Sequence, residues 1–324
     1  MAYSSLVFCK LRSRSSGSCG SSCSYDYIHD TYKLDLTGSG AMSDWSSKEA
    51  CPWYPKRTAI KTLTLGSFTK IGNYGLYELS SITSLTLPTT LTTIGNYALY
   101  GVSGIKEFTL PKSLTTIGTY GMYGMSGLTT LTVPSAVTSI GDYGIANCAA
   151  IKSFYHLGKK APTMTTASTV LTGCGGFTHV YGGAGYTPLT FGSKPVLAAT
   201  AACLVDGTNE VYYHFDSTTG KIIIYGTGCN GNYGIHQHPW KDLGEKITSI
   251  EIAYGITRIG SNSFDMKSGF EDYYKGVKTI TLPSTLTSIG VGAFTSCVSI
   301  TSIDIPEKVT SIENYAFYGC EVLK

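Results

Sequence analysis

The phrase IGNYGLYE at residues 71–78 returns 23 residues later as IGNYALYG and 23 residues after that as IGTYGMYG. One copy cannot bury its own apolar face, so copies repeated at a short fixed interval must stack and share a continuous core. Aligned on their isoleucine-glycine pairs, units begin at Ile60, Ile82, Ile105 and Leu128, and again at Ile247, Val277 and Ile300. In the second unit the apolar positions are Ile82, Leu85, Leu87, Leu91, Ile94, Ala98, Leu99 and Val102. The third unit places Ile105, Phe108, Leu110, Leu114, Ile117, Gly121, Met122 and Met125 at the same offsets.

A 23-residue period falls in the range of leucine-rich-repeat solenoids. Within ITSLTLP, Leu85 and Leu87 alternate with Ser84 and Thr86, the period of a short strand with one buried face. Proline closes that segment at Pro88, Pro111, Pro134, Pro283 and Pro306, because it cannot donate to a ladder. A second extended piece, LTTIG, ends on a glycine suited to a turn. NYALYG then has room for one helical turn or a compact bend, with Ala98 and Leu99 pointing inward. The predicted fold is mostly β: a leucine-rich-repeat solenoid with 23-residue repeats in two modules, each opened by a small β cap.

The module boundaries follow from where the pattern fades and restarts. Residues 1–18 read as an N-terminal extension, 19–59 as an opening cap and 60–150 as four repeats. Residues 151–193 read as a degenerate repeat and closing cap, since terminal coils of a solenoid are atypical. A linker over 194–210 leads to a second opening cap at 211–246 and three repeats over 247–324. Trp53 and Trp240 occupy the same place just before the first repeat of each module, where each plugs the open end of a core. The terminal EVLK reaches Leu323, the first core position of another unit. An uncovered edge there invites continuation, a covering partner or self-association.

Composition removes several function classes. Charged residues are 14% of the 324, the formal net charge is +3, and Lys and Arg do not cluster beyond Lys10, Arg12 and Arg14. That is too mild for a nucleic-acid or membrane-surface footprint. No stretch reaches the length of a membrane-spanning helix, and the opening MAYSSLVFCKLRSRSSGS reverses the order of a secretory leader, so no export signal is visible. Of the ten cysteines, Cys148, Cys297 and Cys320 fall at a position that Val102 and Met125 fill elsewhere and read as small buried apolar residues. Cys19 and Cys23 can pair with each other or with Cys51.

ITSLTLPTTLTTIGNYALYG, ITSIDIPEKVTSIENYAFYGC and the opening GSGAMSDWSSKEACPWY together resemble BspA-like leucine-rich repeat proteins. The resemblance covers residues 60–150 and 247–322 closely and the caps at 25–59 and 211–246 loosely. It implies a surface or secreted protein of the kind found in mucosal bacteria and a parasitic protist, for which adhesion to host proteins, mucus or other cells is the usual proposal. The sequence departs from that pattern in lacking a leader and anchor, in the insertion DMKSGFEDYYKG of its sixth unit, and in its 24 tyrosines.

Two surfaces are candidates for binding. Tyr74, Tyr97, Tyr120, Tyr143 and Tyr315 share one repeat position, and Tyr77, Tyr100, Tyr123 and Tyr318 lie three residues later. Stacked coils place successive rings about 5 Å apart. Such a stripe either offers amphipathic contact area to a ligand or serves only as a self-stabilising ladder. The outward strand positions Ser84, Thr86, Glu107, Thr109, Thr130 and Thr132, with Thr279, Thr281, Ser302 and Asp304, are the second surface, although threonine also simply suits a strand. The candidate binding residues are therefore Tyr77, Tyr100, Tyr123, Ser84, Thr86, Glu107, Thr109, Thr130 and Thr132.

His236 and His238 can share one side of an extended segment, but EACPW in the first module has no histidine and no third ligand is evident, so neither a metal nor another cofactor is expected. No phosphate loop, nucleophile elbow or HExxH pattern occurs, and the carboxylates are scattered. The expected function is non-enzymatic binding or adhesion at a cell surface or outside the cell, with host or surface proteins, mucins or glycans as partners. The alternative is a structural component of an assembly, such as a virion appendage or surface-layer subunit, self-associating through the C-terminal end. Neither nucleic acid nor membrane insertion is expected.

Overall fold

The repeats wind into the coils of a β-solenoid, and the short parallel strands of successive coils pair edge to edge. A computed structural model describes residues 13–188, 190–203, 210–235, 237–265 and 275–324. The described residues form two compact units. The first runs to Leu128 and includes Ser139–Ala150 and Thr163–Gly175; the second comprises Thr129–Thr138, Ile151–Pro162 and Gly176–Lys324.

In the first unit an eight-stranded sheet starts antiparallel, through Arg14–Gly20, Cys23–Ile28 and Lys33–Ala41. It turns parallel where Lys33–Ala41 meets Thr62–Ile71 and continues through Thr93–Ile94, Thr116–Ile117, Ser139–Ile140 and Thr163–Met164. That switch marks the change from hairpins, which need only tight turns, to coils, which return by a full crossover. The ladder runs through LTTIG. ITSLTLP differs from expectation: residues 82–88 and 105–111 belong to no regular strand, although Leu85, Leu87, Phe108 and Leu110 are buried. Alternating burial needs only extended backbone, and here it occurs without ladder pairing.

The glycine of the isoleucine-glycine pair opens a turn, as expected, the carbonyls of Gly95 and Gly118 accepting from Ala98 and Gly121, and it has a second reason to be glycine. A Cβ on Gly118 would lie 2.6 Å from Asn96 Oδ1 and 2.7 Å from its backbone nitrogen, and Gly95 meets Asn73 in the same way. The backbone of one coil passes too close to the next for any side chain. The cysteines at the repeat position are buried at Cys148 and Cys297 and half-buried at Cys320, and the thiols of Cys148 and Cys320 donate to the carbonyls of Met122 and Phe294, each at 3.3 Å. Cys19 and Cys23 form a disulfide, and Cys51 is a buried free thiol.

The second unit holds three sheets. One orders Thr190–Phe191, Lys194–Ala198, Val180–Gly182, Ser153–His156 and Thr130–Val133; another orders Ala201–Ala202, Val211–Asp216, Lys221–Gly226, Ser249–Ile252 and Thr279–Thr281. The third joins Gly228–Cys229, Ile256–Ile259, Ser288–Ile289 and Ser311–Ile312. Residues 194–202, expected in a linker, thus carry strands, while residues 204–209 and most of the insertion, 266–274, lie outside the described residues. Tyr155, Leu157, Tyr212, Ile223 and Tyr225 form one buried cluster that packs the first two sheets together, with Tyr155 stacked on Tyr225 at 4.9 Å and Tyr225 Oη donating to the Gly182 carbonyl at 2.6 Å.

Trp53 and Trp240 play matching parts in their own units. Both are buried; Trp53 Nε1 donates to the carbonyl of Gly75 at 2.9 Å and Trp240 Nε1 to that of Ser263 at 3.0 Å, the same position of the first coil in each case. Below Trp240, Phe264, Phe294 and Phe317 continue an internal stack at 5.0, 5.6 and 5.5 Å.

His156 is fully buried against Tyr186 and Phe191, with ring distances of 5.5 and 5.2 Å, and neither of its nitrogens has a hydrogen-bond partner among the described residues. Burial holds its imidazole down to about 4. The unfolded chain takes up a proton near pH 6.5, so the stability tied to neutral His156 is fully present above that pH and is lost as pH falls toward 4. The total is about 3 kcal/mol.

Thermal unfolding should show a clear drop in midpoint between pH 7 and pH 4.5, and His156→Leu should shrink that drop; an unchanged drop in the variant would assign it to other groups. Gly118→Ala should lower the urea midpoint by the equivalent of roughly 1–3 kcal/mol through overpacking. Gly175→Ala, where a Cβ meets nothing within 4 Å, should be neutral or slightly stabilising.

Candidate functional site: two columns of stacked tyrosines

The turn segment of each coil accounts for its backbone amides in alternation. The N–H groups of Tyr97, Leu99 and Gly101 donate to carbonyls of the next coil, Thr119, Gly121 and Tyr123, at 2.8–3.0 Å. Those of Ala98, Tyr100 and Val102 turn back to carbonyls three residues earlier in their own coil. Alternation of this kind requires left-handed backbone at two places per coil. Tyr74, Tyr97, Tyr120 and Tyr143 take the first with φ of 54–58°, and Glu78, Gly101, Gly124 and Asn147 take the second. The segment is thus a train of turns, with no helical turn in it.

Held this way, the rings stack face to face. Tyr74, Tyr97, Tyr120 and Tyr143 follow one another at 4.9 Å with interplanar angles of 3–11°. Tyr77, Tyr100 and Tyr123 follow at 4.8 and 4.9 Å with angles of 8 and 12°. Tilted contacts of 5.3–6.5 Å join the two columns into one strip. All seven side chains are half-buried, so the rings' faces are spent on one another while their edges stay at the surface. Burial, then neighbouring phenols, raise Tyr97, Tyr100 and Tyr120 above the ordinary phenol range; burial followed by Glu78 raises Tyr77. These hydroxyls therefore remain protonated donors at neutral pH.

One end of the strip is charged. Tyr54 lies 6.0 Å from Tyr77, Lys48 Nζ stands 5.5 Å over the Tyr77 ring, and the Arg57 guanidinium sits 4.0 Å over Tyr54 while its Nε bonds Glu78 at 2.8 Å. Sequence reasoning missed Tyr54, although the signal was present: Tyr54 precedes Tyr77 by one 23-residue period. Tyr315 and Tyr318 do not extend either column. Gly292 and Thr295 hold their positions in the preceding coil, and the two rings stand 68% and 65% exposed in an edge contact of 5.8 Å.

The second expected surface divides. Ser84, Thr86, Glu107 and Thr109 are exposed in the first unit. Thr130 and Thr132 belong to the second, where Thr130 is half-buried and Thr132 only 7% exposed, its hydroxyl sealed in without a partner. Thr132 pairs across its ladder with Tyr155, and the Tyr155–Tyr225 packing covers that face, so Thr132 is not a surface position as expected. In the histidine segment, His238 is buried and stacked on Trp240 at 5.4 Å, while His236 lies outside the described residues. Among the described residues no group of three or more His, Cys, Asp or Glu side chains is placed to hold a metal ion. No described helix is long and apolar enough to cross a membrane.

The coils match the BspA type leucine rich repeat region in six copies, over residues 56–166 and 242–324, more than half of the sequence. The chain belongs to the BspA-type leucine-rich repeat family. Solved structures of bacterial leucine-rich repeat proteins are similar along nearly the whole chain. One from Eubacterium ventriosum ATCC 27560 is 18% identical, with 95% of each chain covered and a TM-score of 0.41. One from Bacteroides ovatus ATCC 8483 is 16% identical, covering 94% of this chain and 92% of that one, with a TM-score of 0.36. A leucine rich cell surface protein from Faecalibacterium prausnitzii A2-165 is 16% identical, covering 96% and 88%, with a TM-score of 0.29. No curated protein sequence matches the chain. The BspA-type repeat supports a protein-interaction role.

A double-mutant cycle on Tyr97→Ala and Tyr120→Ala should give a coupling energy of about 0.5–1.5 kcal/mol by urea denaturation. Tyr318→Ala, which removes an exposed ring outside the columns, should stay within about 0.5 kcal/mol of the parent.

Proposed function

We propose that this BspA-type repeat protein is a non-enzymatic binding or adhesion protein, working at a cell surface or outside the cell on host or surface proteins, mucins or glycans. The single observation that carries the reading is the strip of seven stacked tyrosines, rigid, uncharged along its length and edged with hydroxyls. A side chain already fixed by its neighbours loses little rotamer freedom when a partner arrives. Ser84, Thr86, Glu107 and Thr109 add short polar groups in the same unit. Many weak contacts of this sort gain strength when several copies are displayed together.

A second reading, a structural subunit of a larger assembly, is favoured by a different place. Ile305, Ile312, Tyr315, Tyr318 and Val322 are all exposed large apolar side chains of one coil. Within the sheet, Ser311–Ile312 pairs with Ser288–Ile289.

Binding of the purified chain to immobilised mucins and matrix proteins should be lost in the Tyr77→Ala, Tyr100→Ala, Tyr123→Ala variant while circular dichroism shows both proteins folded. A folded parent that binds none of the panel yet forms concentration-dependent oligomers, dispersed by Ile312→Lys, would replace the adhesion reading with the assembly reading.

A further inference from the structure

We infer that the tyrosine strip takes a proline-rich polypeptide segment in the polyproline II conformation, laid along the axis of the columns. The inference rests on the binding reading above and names its ligand class. Its basis is the fit between the repeat of the strip and the repeat of the ligand. Two coil steps of 4.9 Å advance 9.8 Å along the columns. One three-residue turn of polyproline II advances about 9.3 Å. The ligand therefore returns the same face to the strip at every second tyrosine, drifting by only about 1 Å over the four rings of the longer column. A fully extended strand repeats its side chains at about 6.7 Å and falls out of step within two coils.

The chemistry agrees with the geometry. Polyproline II has no internal hydrogen bonds, so its carbonyls are free acceptors. The strip presents phenol hydroxyls, and those of Tyr97, Tyr100 and Tyr120 remain donors at neutral pH, while the Tyr77 hydroxyl is already bonded to Glu78. Proline rings supply apolar edges for the tyrosine edges to touch, and a segment that is already stiff loses little entropy on docking. Face-to-face stacking argues against a sugar ring lying flat on the interior tyrosines, because those faces already touch another tyrosine.

The test uses the full chain and three fluorescein-labelled probes followed by anisotropy: a twelve-proline peptide, a twelve-residue glycine-serine peptide and a cello-oligosaccharide. The proline peptide should bind at least tenfold more tightly than the glycine-serine peptide. The variant Tyr97→Phe, Tyr100→Phe, Tyr120→Phe, Tyr123→Phe keeps the rings and removes the donors; it should melt like the parent and bind the proline peptide on the order of tenfold more weakly. Equal affinity for the two peptides, or a proline affinity that the phenylalanine variant retains, would overturn the inference. Oligosaccharide binding that the variant loses, without proline binding, would also overturn it while leaving the strip a binding surface. No binding of any probe, joined to a blank mucin and matrix panel, would remove both readings.

Discussion

The hydrogen bonds from the turn segment of one coil to the next are what the rest of the fold depends on. A coil with no helix and only a two-residue strand has few regular places to satisfy its amides, and a buried N–H left unpaired costs more than most single contacts return. Sending alternate amides forward and back solves that problem, but only by putting a residue into left-handed backbone, which costs a non-glycine side chain on the order of 1 kcal/mol. Most coils of the first unit put tyrosine there. The stacked neighbour at 4.9 Å offsets the strain, since an aromatic pair returns a comparable amount.

Side-chain ladders reinforce the same register. Asp44 Oδ1 accepts from Asn73 N, Asn73 Oδ1 from Asn96 N, and Asn96 Oδ1 from Thr119 N, at 2.8–2.9 Å. The hydroxyls of Thr92 and Thr115 donate to the carbonyls of Thr69 and Thr92, each at 3.0 Å. The glycine of the following coil leaves room for each asparagine side chain, Gly95 for Asn73 and Gly118 for Asn96. Rigidity and regularity at the strip follow from these bonds, and any ligand that reads the strip's period reads them indirectly.

Much of this was legible because burial repeats with the sequence. Ile82, Leu91, Ile94, Ala98, Leu99 and Val102 are all fully buried, as their spacing requires. The matching roles of Trp53 and Trp240 were legible too, since composition and position coincide in the two modules. The placement of the ladder in LTTIG was not, because period-two burial reports extended backbone and is silent about pairing. The left-handed tyrosines were hidden for a different reason: tyrosine carries no propensity for that conformation, so a local rule points elsewhere. Thr132 misled because outwardness on a strand says nothing about a second sheet from the same unit that packs over it. At the candidate site the columns could be read from the period, whereas the charged end at Lys48 and Arg57 depends on contacts between segments with no shared motif.

The later coils show how little of the pattern is needed once the backbone bonds are in place. The step from Ile247 to Val277 is longer than 23 residues, yet Asn262 N and Phe264 N still reach the carbonyls of Val291 and Ala293 at 2.9 and 2.8 Å. Each coil touches only its neighbours, so a longer step between two coils leaves the ladder intact. In those coils Asn262 and Gly292 take the left-handed position. Both adopt it with less strain than tyrosine does. The fold thus does not require the tyrosines, and coils that keep the backbone register without them show that the strip is an addition to the solenoid. In the first unit, where Tyr74, Tyr97, Tyr120 and Tyr143 take that position instead, ring stacking offsets the strain that asparagine and glycine avoid.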